Sequence, residues 1–155
     1  MTTIGEICKR DVVVTTGGAS IAAAAQLMQK HHVGSLVVVT GDDGGTRKPV
    51  GILTDRDMVM EVMATDRNPH TVLVEEIMSA RLTTARDTDG VHQTLQLMRY
   101  RGVRRLPIVN ANGDLIGIVT TDDLLRVLSY DIVTLAGIAV RELSHEAAAH
   151  SAYFA

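Results

Sequence analysis

Across residues 20–32 the apolar side chains Ile21, Ala25 and Met28 fall on one helical face, and Val91, Leu95 and Met98 repeat that spacing 70 positions on. Each amphipathic stretch leads into a short run rich in β-branched residues, SLVVVT at 35–40 and RLPIVN at 105–110, which reads as a buried strand. A loop and a second strand follow at 50–53 and 115–119, and a helix is expected to start near Arg56 and near Asp122. TDRNPH at 65–70 is a polar bridge in which Pro69 holds Asn68 away from helical geometry, and helix resumes around 74–79. Beyond Ser129 the pattern changes. Ile132, Leu135, Ile138, Ala139 and Leu143 predict a C-terminal amphipathic helix over 131–150, with fraying over 151–155.

The two halves are copies of one pattern. GILTDRD at 51–57 returns as GIVTTDD at 117–123, an offset of 66, whereas Ile7 and Ile77, Leu36 and Leu106, and Val39 and Val109 stand 70 apart. The difference is confined to the loop between Thr40 and Val50, where insertions are tolerated because such loops run over the surface. The predicted class is α/β, with a β-α-β-β-α unit at 7–64, a linker at 65–76, a second unit at 77–128, and a C-terminal helix and tail at 129–155. Half-domains of roughly 60 residues are marginal alone, so the two are expected to share a core.

Composition narrows the function. With 46% apolar residues among 155 the chain can bury a core, while a net charge of -3 and 3% aromatic residues supply neither the basic footprint nor the stacking platform of a nucleic-acid binder. No apolar stretch reaches the ~18–20 residues of a membrane span, and MTTIGEICKRD has no apolar signal core, so a cytoplasmic protein without a membrane partner is expected. Cys8 is the single cysteine, aligned with Met78, and is expected to pack as a small apolar side chain.

Candidate chemistry centres on the repeated turn. A strand ending in Gly-apolar-apolar-Thr and passing straight into a helix aims free backbone N–H groups at whatever lies above it, a favourable place for an anion. Thr54 and Thr120 offer hydroxyls to a phosphate or sugar, and Asp57 and Asp123 offer carboxylates to the two hydroxyls of a ribose. Thr-x-x-Asp is equally a capping box, which needs no ligand. Against that stand the duplication in register and the glycines Gly51 and Gly117, placed where a backbone must come close.

Arg99, Arg101, Arg104 and Arg105 lie at the mouth of the second unit's first strand, and alternation lets one of the last two point into a cleft and clamp phosphate. They serve equally well as a solvated helix end. Gly34 and Ser35 hold the aligned positions in the first unit, so the two sites cannot be equivalent; Arg47 and Lys48 in its longer loop are the residues that would restore charge. No metal-ligating set is expected: His31 and His32 are adjacent, and Asp42 and Asp43 lack the ladder of a calcium loop. Neither a catalytic nucleophile with its base nor a phosphate-binding glycine-rich loop is present.

Taken together, the duplicated β-α-β-β-α order, the turns at 51–57 and 117–123 and RRLPIV at 104–109 resemble a tandem pair of CBS domains, over about residues 7–128. TDRDMVM at 54–60 is similar to stand-alone bacterial members. The resemblance implies two units packed pseudo-symmetrically, sheet to sheet, into one disc-like module with two clefts for adenosine ligands: AMP, ADP, ATP, NAD or S-adenosylmethionine. It implies that Thr54 with Asp57 and Thr120 with Asp123 take phosphate or ribose, that Ile52 and Ile118 line the adenine slot, and that Arg104 and Arg105 match the phosphate-reaching pair of nucleotide-sensing members such as the kinase gamma subunits. Gly34 and Ser35 depart from that pattern. The expected role is a non-enzymatic regulatory module, paired as a homodimer and signalling to an effector protein. The alternative is a ligand-free scaffold whose Thr-x-x-Asp turns only cap helices.

Overall fold

The computed structural model describes residues 2–40 and 46–153, which divide into two units, 1–120 and 121–155. The Asp42–Asp43 pair lies outside the described residues, as do residues 154–155. In the first repeat α1 (Ile4–Ile7), β1 (Val14–Thr16), α2 (Ile21–His31), β2 (Ser35–Val39), β3 (Pro49–Thr54) and α3 (Asp55–Met58) follow one another. The second gives α4 (Val74–Ile77), β4 (Ala85–Arg86), α5 (Val91–Arg101), β5 (Arg105–Val109), β6 (Leu115–Thr120) and α6 (Thr121–Tyr153).

Two three-stranded sheets result, ordered β1-β2-β3 and β4-β5-β6, with the first pair of each parallel and the second antiparallel. The repeat extends to register: Val38 faces Gly51 and Ile108 faces Gly117, and both ladders shift at the following residue. Four consecutive residues of β2 and of β5 are buried. Successive side chains point to opposite faces, so both faces of each central strand are covered.

Ile21, Ala24 and Met28 of α2 pack with Leu36, Val38, Leu53, Met58, Val62, Val72 and Val74 in one core cluster. The buried stripe therefore runs through Ala24, and Ala25, expected inside, is exposed. In α5 the corresponding inner position is Thr94, whose hydroxyl is satisfied by the Gly90 carbonyl at 3.0 Å, while Leu95 is half-buried. Ser20 caps α2 by accepting from the Ala23 N–H at 3.2 Å. The two helices end alike in the left-handed region, but at His32 (φ 53°) in one and Gly102 (φ 65°) in the other.

The lead-in segments are exchanged between repeats. The Val74 and Glu75 N–H groups donate to the carbonyls of Ala19 and Gly17 at 2.9 and 3.0 Å, and those of Ile4 and Gly5 donate to Asp89 and Asp87 at 2.7 and 2.9 Å. Further along, Ser79 pairs antiparallel with Ile52 of β3, and Lys9 pairs antiparallel with Ile118 of β6. Here the repeated glycines find their reason. A Cβ on Gly51 would lie 2.6 Å from Met78 Sδ and 3.0 Å from the Ser79 carbonyl oxygen; one on Gly117 would lie 2.5 Å from Cys8 Sγ and 3.0 Å from the Lys9 carbonyl oxygen. The backbone that comes close is the other repeat's lead-in segment.

One substitution separates the sheets. The Val37 N–H donates to the Val13 carbonyl at 3.2 Å, extending the β1–β2 pairing. The equivalent residue of β5 is Pro107, which has no N–H to give. Accordingly β4 is Ala85–Arg86, one residue shorter than β1, and Thr84, the counterpart of Val14, stays outside the strand.

The helices after the repeated turns also differ. α3 is four residues long and passes into a π-helical turn, Val59–Met63. In the second unit, α6 is a single helix of 33 residues, about 50 Å at ~1.5 Å per residue. The helix expected near Asp122 and the one expected over 131–150 are thus one element, and it continues through Tyr153, where the sequence predicted fraying. Asp123 and Leu124 are buried, whereas Leu125, Ile132, Leu135, Ile138 and Leu143 are exposed.

Candidate functional site

A cavity of about 180 Å³ opens where the two repeats meet within residues 1–120. Ile52 and Thr54 of β3 form one wall, Ser79, Arg81, Leu82 and Thr83 of the connecting segment another, and Val103, Arg104 and Arg105 at the start of β5 a third. Of the residues singled out in sequence, this cavity brings together Ile52, Thr54, Arg104 and Arg105. Thr54 and the arginines come from different repeats, so the cleft belongs to the pair. Arg99 and Arg101 do not reach it; they are exposed in the last turn of α5, with the Arg101 guanidinium 5.5 Å from the Tyr100 ring centroid.

The Thr54 turn is a closed capping box. Asp57 Oδ2 accepts from the Thr54 N–H at 2.8 Å and from the Thr54 hydroxyl at 2.7 Å, and Thr54 Oγ1 accepts from the Asp57 N–H at 3.2 Å. The Arg56 N–H donates to Asp55 Oδ1 at 2.8 Å and the Asp55 N–H to the Gly34 carbonyl at 3.1 Å. Every N–H from Thr54 to Asp57 is therefore occupied, which corrects the expectation that free N–H groups of this turn would hold an anion. α3 is also short, with Asp55 and Asp57 in its first turn. Positive charge at the cleft is supplied by guanidinium groups instead.

Gly34 and Ser35 sit at the turn of their own repeat. A Cβ on Gly34 would meet Asp55 Oδ2 at 3.1 Å, and Ser35 is in register with Thr54. Neither lines the cavity. Arg47 is exposed, and its carbonyl accepts from the Leu115 N–H at 2.7 Å; Lys48 is exposed too, with its carbonyl bonded to the Thr40 N–H. In the second repeat, half-buried Ile118 is bonded to Lys9, half-buried Thr120 closes β6, and Asp123 lies buried in the first turn of α6.

Sequence reasoning missed Arg81. The stretch between α4 and β4 has no periodicity to assign it, and only the pairing of Ser79 with Ile52 carries Arg81 to the cavity. Cys8 is buried and its Sγ contacts the Gly5 carbonyl oxygen at 3.5 Å; burial pushes the thiol above its ordinary pKa, with Arg10 partly opposing. Among the described residues no group of three or more His, Cys, Asp or Glu is placed to hold a metal ion, and no helix is long and apolar enough to cross a membrane.

A family profile for the CBS domain matches residues 4–64 and 74–130, and the chain belongs to the CBS-domain family. An uncharacterised protein of Methanopyrus kandleri is 43% identical over 88 residues, 57% of this chain and 45% of its own length; the chain spans about half the length of such curated relatives. Among solved structures, a CBS-domain protein of Burkholderia ambifaria ascribed to signal transduction matches at TM-score 0.73 with 29% identity, covering 84% of this chain and 96% of its own. Hypoxic response protein I, solved with two coordinated zinc ions, matches at TM-score 0.70 with 30% identity over 81% and 98%. The CBS domain pair of protein MJ0100, in complex with 5-methylthioadenosine and S-adenosylmethionine, matches at 0.69 with 28% identity over 82% and 99%. The fold is thus that of a tandem CBS module, a class of regulatory and signal-transduction modules.

Proposed function

We propose that this protein is a non-enzymatic regulatory module that senses an adenosine ligand, of the AMP, ADP, ATP, NAD or S-adenosylmethionine type, in the cleft between its CBS motifs. The observation that carries the reading is the cavity that joins Ile52 and Thr54 of one repeat to Arg104 and Arg105 of the other. In this reading Ile52 flanks the adenine, Thr54 and Asp57 take phosphate or ribose, and the arginines hold phosphate. By repeat, Ile118, Thr120 and Asp123 correspond to Ile52, Thr54 and Asp57, and Gly34 and Ser35 to Arg104 and Arg105. The complex of the MJ0100 pair with two adenosine compounds supports the ligand class.

Linkage supplies the mechanism: a ligand that grips both repeats favours one arrangement of them and so alters a surface that another protein reads. The Thr54 hydroxyl proton is already given to Asp57. A phosphate that takes this proton displaces an internal bond, which couples occupancy to the start of α3. We place the protein in the cytoplasm as a homodimer that signals to an effector protein, without nucleic acid or membrane.

Titrating ligand-stripped protein calorimetrically with AMP, ATP, NAD and S-adenosylmethionine tests the reading; saturable binding at one or two sites per chain is expected. The completed capping box favours a second reading, a scaffold whose turns only cap helices. Silence from all four ligands, with Asp123→Ala merely lowering stability, would establish the scaffold.

A further inference from the structure

The apolar side chains of α6 form a seam with nothing over it. Leu125, Ile132, Leu135, Ile138 and Leu143 are between 58% and 66% exposed. Leu125, Leu128, Ile132, Leu135 and Ala139 succeed one another at intervals of three, four, three and four residues. That is the seven-residue repeat of a coiled coil, in which alternating a and d positions face a partner helix. Leu125, Ile132 and Ala139 hold a, Leu128 and Leu135 hold d, and Glu142 takes the next d position and ends the run.

The residues around the seam suit a second copy of the same helix. A β-branched residue at a with leucine at d is the combination of parallel two-stranded pairs, and Ile132 stands between Leu128 and Leu135 in that way. In a parallel pair the residue before each a position meets the residue five further on in the other helix. Asp131 then meets Ala136, and Ile138 meets Leu143, so the two apolar flanks cover each other and no like charges are opposed. An antiparallel pair matches like flanks instead and sets Asp131 beside Ile138. The neighbouring hydroxyls need no partner, because Ser129 donates to the Arg126 carbonyl at 2.8 Å and Thr134 to the Tyr130 carbonyl at 2.9 Å. Arg126, Asp131, Arg141 and Glu142 are the charges between 124 and 143 and sum to zero, unlike the basic face of a helix that lies on anionic lipid.

We infer, resting on the homodimer reading above, that two copies of this chain associate through α6 as a parallel coiled coil over residues 125–143. Glu142 lies level with its own copy at the last d layer, and that like-charge contact limits the affinity. Val133, equally exposed, is turned away from the seam.

The test is sedimentation equilibrium of the full chain as wild type, Leu135→Glu, Val133→Glu and Glu142→Leu, with air oxidation of Glu142→Cys. The wild type is expected at twice its chain mass. Leu135→Glu should weaken the dimer at least about a hundredfold, because it removes a seam leucine and buries a charge in each copy. Val133→Glu brings the same charge and should change affinity less than about threefold. Glu142→Leu should tighten the dimer about tenfold or more. Glu142→Cys should cross-link two chains, since only the parallel pair brings position 142 level with itself; the wild type, whose Cys8 is buried, should not. A dimer unmoved by Leu135→Glu would overturn the seam and leave the homodimer. Equal loss in both glutamate variants of the apolar positions, no tightening in Glu142→Leu, or no cross-link at position 142 would overturn the parallel seam. Should Leu135→Glu fail to fold, the two Glu142 variants decide alone. A monomeric wild type would overturn seam and homodimer together. A fall in its melting temperature in Leu135→Glu would then assign the seam to the chain's own residues, and flotation with phosphatidylcholine vesicles to a lipid surface.

Discussion

The two repeats share a framework and differ in the side chains set over it. Ile52 bonded to Ser79 repeats as Ile118 bonded to Lys9, and Gly51 under Met78 repeats as Gly117 under Cys8. Over that framework the first case carries Arg81, Arg104 and Arg105 at a cavity, and the positions 70 residues earlier are Asp11, Gly34 and Ser35. Positions that hold the repeats together are fixed by packing and by backbone approach, while rim positions are free to change charge. Charge can therefore change at those positions without disturbing the packed framework.

Substitutions at the two glycines test the framework and carry the largest expected effect. Gly117→Ala is expected to destabilise by about 1–3 kcal/mol, the usual range for overpacking. Its new methyl meets Cys8 Sγ at 2.5 Å on a short side chain, and the Lys9 carbonyl prevents escape. Gly51→Ala should cost less, because Met78 Sδ belongs to a longer side chain that can swing aside. Urea unfolding of both variants measures the difference, and a smaller loss for Gly117→Ala would break the assignment.

Asp57→Ala comes next. Removing the carboxylate opens the capping box and should cost about 1 kcal/mol. Paired denaturation and calorimetry separate its two roles: lost binding with this modest destabilisation supports the sensor, and destabilisation with binding intact supports a cap alone.

The smallest change compares the helix ends. His32 occupies the left-handed region at φ 53°, where Gly102 of the second repeat does so at φ 65°. His32→Gly should stabilise the protein by several tenths of a kcal/mol to about 1 kcal/mol, and should leave ligand affinity untouched. A decrease in melting temperature would show that the His32 side chain contributes more than its backbone strain costs.

Much of this organisation was legible in the chain. The strands, the repeat and the turns follow from period-2 and period-3.6 patterns and a duplicated heptapeptide, all local signals. Ala25 was read as the inner position in place of Ala24 because a run of four alanines, Ala22 to Ala25, leaves the helical stripe without a size contrast. Three of the occupied N–H groups of the Thr54 turn are taken by its own side chains, and the fourth, that of Asp55, depends on the Gly34 carbonyl, which the β2–β3 register brings there. Arg81 depended on a pairing between repeats that no spacing within one repeat encodes. Gly51 and Gly117 were correctly read as sites of close approach, yet what approaches them is long-range information.

The exchange of lead-in segments sets the order of events during synthesis. Lys9 pairs with Ile118, over a hundred positions later, and β3 gains its Ser79 partner only after the connecting segment has been made. At roughly 5–20 residues per second, the first repeat waits seconds on the ribosome with part of its sheet edge uncovered. Completing each sheet edge therefore waits on contacts distant in sequence, which form slowly. A nascent first repeat is the stage at which this protein is most open to mispairing with another chain.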